Sequence, residues 1–176
     1  MIVHGIPADD VVLEEGDILS IDCGAIIEGW HADAAITVPI GEIDDESQRL
    51  LDVTRMSLED AITQIVPGNR LGDIGHAVES RALAAGFGIV REYVGHGIGT
   101  AMHEEPEIPN HGPAGRGVRL REGMVLAIEP MVNLGRPTTR LLADGWTVVT
   151  ADGSRSAHFE HTVAVTESGP LVLTVP

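Results

Sequence analysis

The 176 residues suffice for one domain with a substantial core, and 43% apolar against 22% charged residues is ordinary for a soluble globular protein. A net charge of −16, with arginine supplying all eleven basic residues, leaves no basic footprint for nucleic acid. No apolar run approaches the roughly 18 residues of a membrane span, and the single cysteine, Cys23, excludes an intramolecular disulfide framework. Met1 to Pro7 lacks the basic and apolar regions of a secretory signal, so the cytoplasm is the expected compartment. The absence of lysine matches the codon usage of a GC-rich genome. Part of the acidic excess suits clustered carboxylates, which divalent cations can neutralise.

In chain order, residues 11–15 read as a turn-rich segment. Residues 18–27 and 30–38 read as two strands joined at Glu28-Gly29, a β-hairpin. A long amphipathic helix is predicted over 45–66, with Leu51, Leu58, Ile62 and Ile65 on one face and Pro67-Gly68 as its stop. A second helix is predicted over about 71–85, ending at Gly86, then a strand near 88–94. Residues 95–117 read as a Gly/His/Pro-rich loop, too long for a plain connection. Strands are predicted over 124–134, 145–151, 157–166 and 170–175, the last two flanking a turn at Glu167-Ser168-Gly169. Separated runs of strands and helices indicate an α+β protein with a mostly antiparallel sheet.

The first hairpin has a geometric consequence. With a two-residue turn at Glu28-Gly29, Ile27 faces Trp30 and Gly24 faces Asp33. Asp22 then shares a sheet face with Asp33 as its diagonal neighbour, about 7–8 Å away at Cα level. Two acids converging from half-buried strands are costly unless a proton or cation lies between them. On the hairpin alone, one exposed acid and one bonded to backbone amides is an equally good arrangement.

Other residues favour the cation. His96 is flanked by glycines in Gly95-His96-Gly97-Ile98-Gly99, and His103 follows seven residues later in His103-Glu104-Glu105-Pro106. Pro106 and Pro109 forbid the helix that a His-Glu-x-x-His zinc site needs. Glu129 lies in the apolar stretch MVLAIEPMV, and Glu160 in a strand-like HFEHTV. Asp22, Asp33, His96, Glu129 and Glu160 form an oxygen-rich donor set suited to Mn²⁺, Fe²⁺ or Co²⁺, with zinc a further candidate. Two divalent ions would balance the four carboxylates.

The ordered motifs His4-Gly5-Ile6-Pro7, Ser20-Ile21-Asp22, Trp30-His31-Ala32-Asp33, Gly95 to Gly99, His103 to Pro106, Ile128-Glu129-Pro130-Met131-Val132, Asp144-Gly145-Trp146-Thr147 and Glu160-His161-Thr162 closely resemble the type I methionine aminopeptidases. The resemblance spans essentially the whole chain. It implies a single metallopeptidase domain over 1–176 with the pita-bread fold: two pseudo-symmetric halves, each a curved antiparallel sheet backed by helices. Family members carry a further N-terminal stretch before His-Gly-Ile-Pro, whereas this chain starts three residues ahead of it, so the first half is expected to be incomplete.

The resemblance also implies roles. Asp22 corresponds to the bidentate ligand of one metal, Asp33 and Glu160 to bridging ligands, and His96 and Glu129 to ligands of the other metal. His103 corresponds to the histidine on the scissile carbonyl and His4 to a second histidine near the amide nitrogen, while the chemistry makes Glu129 a candidate proton acceptor from the water. Met102 and Trp146 fall where the family lines its methionine pocket, Met102 standing where an aromatic is more usual. Phe159 is expected in the core, with His161 beside the ligands. The implied substrate is the N-terminal methionine of nascent polypeptides, with the ribosome as a candidate neighbour, no nucleic acid or membrane partner, and a monomeric state. The competing functions are an Xaa-Pro peptidase of the same fold, a non-catalytic binding protein, and an inactive fragment.

Overall fold

The computed structural model describes residues 1–9 and 11–175. Strands β1 (Ile18–Ile27) and β2 (Trp30–Pro39) form the expected hairpin, with Gly24 opposite Asp33 and Ile27 opposite Trp30. Its turn has φ of 51° at Glu28 and 86° at Gly29. Positive φ at both central residues marks the tight turn whose twist matches the flanking strands.

Helix α1 (Asp45–Thr63) starts where the Asp44 carboxylate accepts the Ser47 N–H at 2.7 Å. It ends at Thr63, three residues before the predicted end at residue 66. Leu50, Leu51, Thr54, Ser57, Leu58 and Ala61 recur every three or four residues and face inward. Helix α2 (Leu71–Ala84) begins with the Arg70 N–H donating to Asp73 at 2.7 Å, and it buries Leu71, Ile74, Val78 and Ala82. Both helices share one aliphatic core with Leu126, Ile128, Val132, Ala157, Val163 and Val165 of the sheets.

The remaining strands are short: β3 (Gly88–Ile89), β4 (Gly95–Gly97), β5 (Glu104–Ile108), β6 (Val125–Ile128), β7 (Met131–Asn133), β8 (Thr139–Leu141), β9 (Val148–Thr150), β10 (Ser156–His158), β11 (Glu160–Thr166) and β12 (Gly169–Val172). The large antiparallel sheet runs β1-β2-β11-β6-β4-β5, with β12 also on β11; β10-β7-β3 and β8-β9 form smaller sheets. The predicted strand over 124–134 is broken at Glu129-Pro130, and that over 157–166 at Phe159. Proline has no N–H to continue a ladder. The two breaks lie side by side, the Phe159 N–H reaching the Pro130 carbonyl at 3.4 Å. At this crease both chain segments cross between the large sheet and the small one, in opposite directions.

Two further expectations need correction. The region 95–117 is not simply loop, since it contributes β4 and β5 to the large sheet. The strand near 88–94 covers only Gly88–Ile89. Among the described residues no helix is long and apolar enough to cross a membrane. The side of the hairpin away from Asp22 and Asp33 is entirely apolar, with Ile21, Ile27, Trp30 and Ile36 exposed on it.

Candidate metal centre

The concave face of the large sheet gathers the predicted donors. Asp33 projects from β2, His96 from β4 and Glu160 from the start of β11, and one donor atom of each lies within 4.8 Å of the others. These strands are held in register by direct pairing: Glu160 faces Ala35, and His96 faces Ala127. Thr162 ties β11 to β2 a second time, its hydroxyl accepting the Asp33 N–H at 2.9 Å and donating to the Asp33 carbonyl at 2.8 Å.

Glu129 enters from the crease between β6 and β7. Its backbone carbonyl accepts a bond from Asn110 Nδ2 at 3.1 Å, so the loop before Leu120 secures the break. Its Oε1 stands 3.6 Å from His96 Nε2. His96 Nδ1 lies 2.9 Å from the Gly97 carbonyl, which fixes the proton on that nitrogen and leaves the Nε2 lone pair facing the carboxylates. Asp22 completes the group from β1, on the same sheet face as Asp33.

The electrostatics show what such a cluster lacks. Burial pushes Glu129 well above the ordinary carboxylate range, with Asp22 and Asp33 adding repulsion. Glu160 is raised for the same reasons, burial first and then Glu129, Asp33 and Asp22. Asp22 is pushed up to about 6 by desolvation and by the adjacent Asp33. Glu160 Oε1 is buried without a hydrogen-bond partner. Mutually repelling, partly orphaned carboxylates around a neutral imidazole fit divalent cations.

At the mouth, the His103 ring lies 4.3 Å from that of His96. Met102 covers the hairpin: a side chain at Gly24 would meet Met102 Cε at 2.5 Å and Asp33 Oδ1 at 3.7 Å. Glycine at that position therefore leaves room for the methionine beside the acid. His4 is carried in by a bridge between Val3 and Val148, anchored by the apolar group Ile2, Val3, Val90, Met131 and Val148. Its ring stacks on Trp146 at 4.6 Å and meets Tyr93 edge-on at 5.8 Å. His161 lies half-buried with Nδ1 2.8 Å from Thr174 Oγ1, and half-buried Phe159 packs on the main core.

Two residues near the site carry no expectation from sequence. Tyr93 meets the His4 ring edge-on, and buried His158 approaches Glu129 at 3.8 Å. Neither sits in a spacing that signals a site.

Residues 1–167 match metallopeptidase family M24. A methionine aminopeptidase from Clostridium acetobutylicum is 52% identical over 174 residues, covering 99% of this chain and 70% of that protein. The chain belongs to the methionine aminopeptidases of family M24. A crystal structure of the enzyme from Thermotoga maritima superimposes with a TM-score of 0.97 at 51% identity, over 99% of this chain and 70% of that one. The pita-bread fold and a divalent-metal peptidase chemistry follow from this membership. A prolidase from Pyrococcus horikoshii aligns with a TM-score of 0.74 at 23% identity, over 98% of this chain and 45% of that one, which is likeness of fold alone.

Proposed function

We propose that residues 1–176 act as one catalytic unit in the cytoplasm. The unit removes the N-terminal methionine from peptides and nascent chains, using two divalent cations held by Asp22, Asp33, His96, Glu129 and Glu160. The observation that carries the assignment is the convergence of Asp33, His96 and Glu160 donor atoms within 4.8 Å on three paired strands. Cobalt, manganese or iron suits the oxygen-rich set, and zinc is tolerated by it. When bound, such cations supply Lewis acidity and bring the pKa of water from 15.7 to about 7.

The chain's own residues account for the rest. His103, exposed beside His96, donates toward the carbonyl oxygen as negative charge grows there, an effect typically worth about 3–4 kcal/mol per donor. Glu129 accepts a proton from the attacking water and returns it to the leaving amine. His4, whose ring packs against Trp146 and Tyr93, addresses the scissile nitrogen. Met102, covering Gly24 beside Asp33, and Trp146 line the space for the methionine side chain. Pairing between the substrate's free α-amine and the acidic cluster makes the chain an exopeptidase. The two-fold difference in identity between the methionine enzyme and the prolidase favours methionine over Xaa-Pro substrates.

The test is release of methionine from Met-Ala-Ser with added Co²⁺ or Mn²⁺, lost in Asp22→Ala. Folded, metal-loaded protein without turnover would refute catalysis by this chain while leaving the fold intact. Cleavage of Xaa-Pro but not Met-Ala peptides would move it to the prolidases.

A further inference from the structure

His158 closes β10 and is 2% exposed. Its backbone is fixed on both sides by Thr37, whose hydroxyl accepts the His158 N–H at 2.8 Å and donates to the His158 carbonyl at 2.8 Å. The ring therefore has little freedom to turn away. Its Nε2 is buried without a hydrogen-bond partner and lies 3.8 Å from Glu129 Oε2. The other carboxylate oxygen, Oε1, stands 3.6 Å from His96 Nε2. Glu129 is thus divided between two imidazoles, one per oxygen.

A buried polar nitrogen without a partner is disfavoured and rarely kept without a use. The carboxylate assigned as a ligand faces it at 3.8 Å. We propose that His158 is a positioning residue: its neutral ring donates Nε2–H to Glu129 Oε2, so that Oε1 is the oxygen presented beside His96. The present separation exceeds the 2.7–3.2 Å of a formed N–H···O bond, and a small turn of the Glu129 carboxylate closes it. Asn110 holds the same residue by its backbone carbonyl. Glu129 is then fixed at both ends, as ligating carboxylates commonly are by outer hydrogen bonds. The inference rests on the assignment of Glu129 as a metal ligand.

Two substitutions separate the donor from the volume it fills. His158→Leu keeps an apolar bulk and removes the donor, whereas the amide nitrogen of His158→Gln reaches about the same point as Nε2. Chelator-stripped proteins are titrated with Co²⁺, following both heat and the visible absorption of the bound ion. Steady-state kcat and KM for Met-Ala-Ser are measured alongside. Loss of an outer-shell partner typically weakens affinity 10–100-fold. His158→Leu is expected to fall in that range and to lower kcat more than it raises KM, while His158→Gln returns to within about threefold of wild type on both measures. Equal Co²⁺ affinity in all three proteins overturns the positioning role alone. Loss of one bound Co²⁺ per chain in both variants overturns it too, by making His158 a ligand. If His158→Leu does not fold, a His158→Gln protein more than tenfold weaker in Co²⁺ binding overturns it instead. A wild-type chain that takes up no Co²⁺ removes the Glu129 assignment and the inference together.

Discussion

Replacing Gly95 by alanine adds one methyl group where the sheet has no room for it. The new Cβ would lie 2.3 Å from the Ala127 carbonyl oxygen, and 3.4 Å from both the Ala127 carbonyl carbon and Ile108 Cβ. The closest obstacle is backbone of a paired strand, so β4 and β6 must separate by about 1 Å to restore ordinary contact. Overpacking of this kind costs about 1–3 kcal/mol, which for a chain of this size lowers Tm by about 2–12 °C. The displaced pair is the one joining His96 to Ala127, with Glu129 two residues further on. A misplacement near 1 Å at reacting groups can cost about 10²-fold in rate. Gly95→Ala should therefore lose both thermal stability, by circular dichroism, and kcat/KM on Met-Ala-Ser at 25 °C. Leu58→Ala, a buried α1 substitution worth about 2–5 kcal/mol, serves as the comparison. It should cost at least as much stability while keeping kcat/KM within about threefold. Wild-type Tm and activity in Gly95→Ala, or matching activity losses in the two variants, would refute the reasoning.

Two further outcomes follow from the electrostatics and the surface. In the chelator-treated protein, Asp22, Glu129 and Glu160 bind protons more tightly folded than unfolded, so their contribution favours the fold below the unfolded pKa values and is lost as pH rises through the raised ones. His96, His158 and His161, held below the usual imidazole range chiefly by burial, act in the opposite sense below about pH 6.5, so the test window lies above it. Tm in chelator should fall from pH 7 toward pH 9, and Mn²⁺ should restore it at pH 8; a flat or rising profile there contradicts the cluster. On the outer face of the hairpin, Ile27→Thr with Trp30→Thr removes two side chains that are 73% and 63% exposed. Light scattering at high concentration should show less self-association, with kcat/KM unchanged within about twofold, whereas undiminished association would place the sticky surface elsewhere.

The hairpin was legible because both of its signals are local. Alternation of period two sets the faces, and Glu28-Gly29 sets the register, so Asp22 and Asp33 could be put on one face from sequence. Helix α1 was equally readable from its apolar spacing, although it stops at Thr63 before Pro67. β4 and β5 were missed because three to five residues rich in glycine, proline and acid carry no alternation. Their strand character comes from neighbours distant in sequence. The bend at Glu129-Pro130 was hidden for the opposite reason, since an apolar run reads as continuous strand even where a proline interrupts pairing. His96, Glu129 and Glu160 each carry a local signal, but their roles owe mostly to family resemblance, because nothing in their spacing shows that they meet. His158 and Tyr93 stayed invisible, each a single residue whose importance lies in what faces it.

Strand β11 has a consequence for how the protein depends on its surroundings. It pairs with β2 at Glu160 and His161 and with β6 from His161 to Ala164, so among the described residues it is the strand that joins the one bearing Asp33 to the one leading to Glu129. The five proposed ligands are spread from residue 22 to residue 160, and no local fragment contains a working set. A cation therefore binds the assembled sheet and has little affinity for the open chain. Its free concentration then enters the folding equilibrium directly, adding about 2.7 kcal/mol when it exceeds its dissociation constant a hundredfold. Metal supply would thus set how long the chain survives, as well as how fast it works.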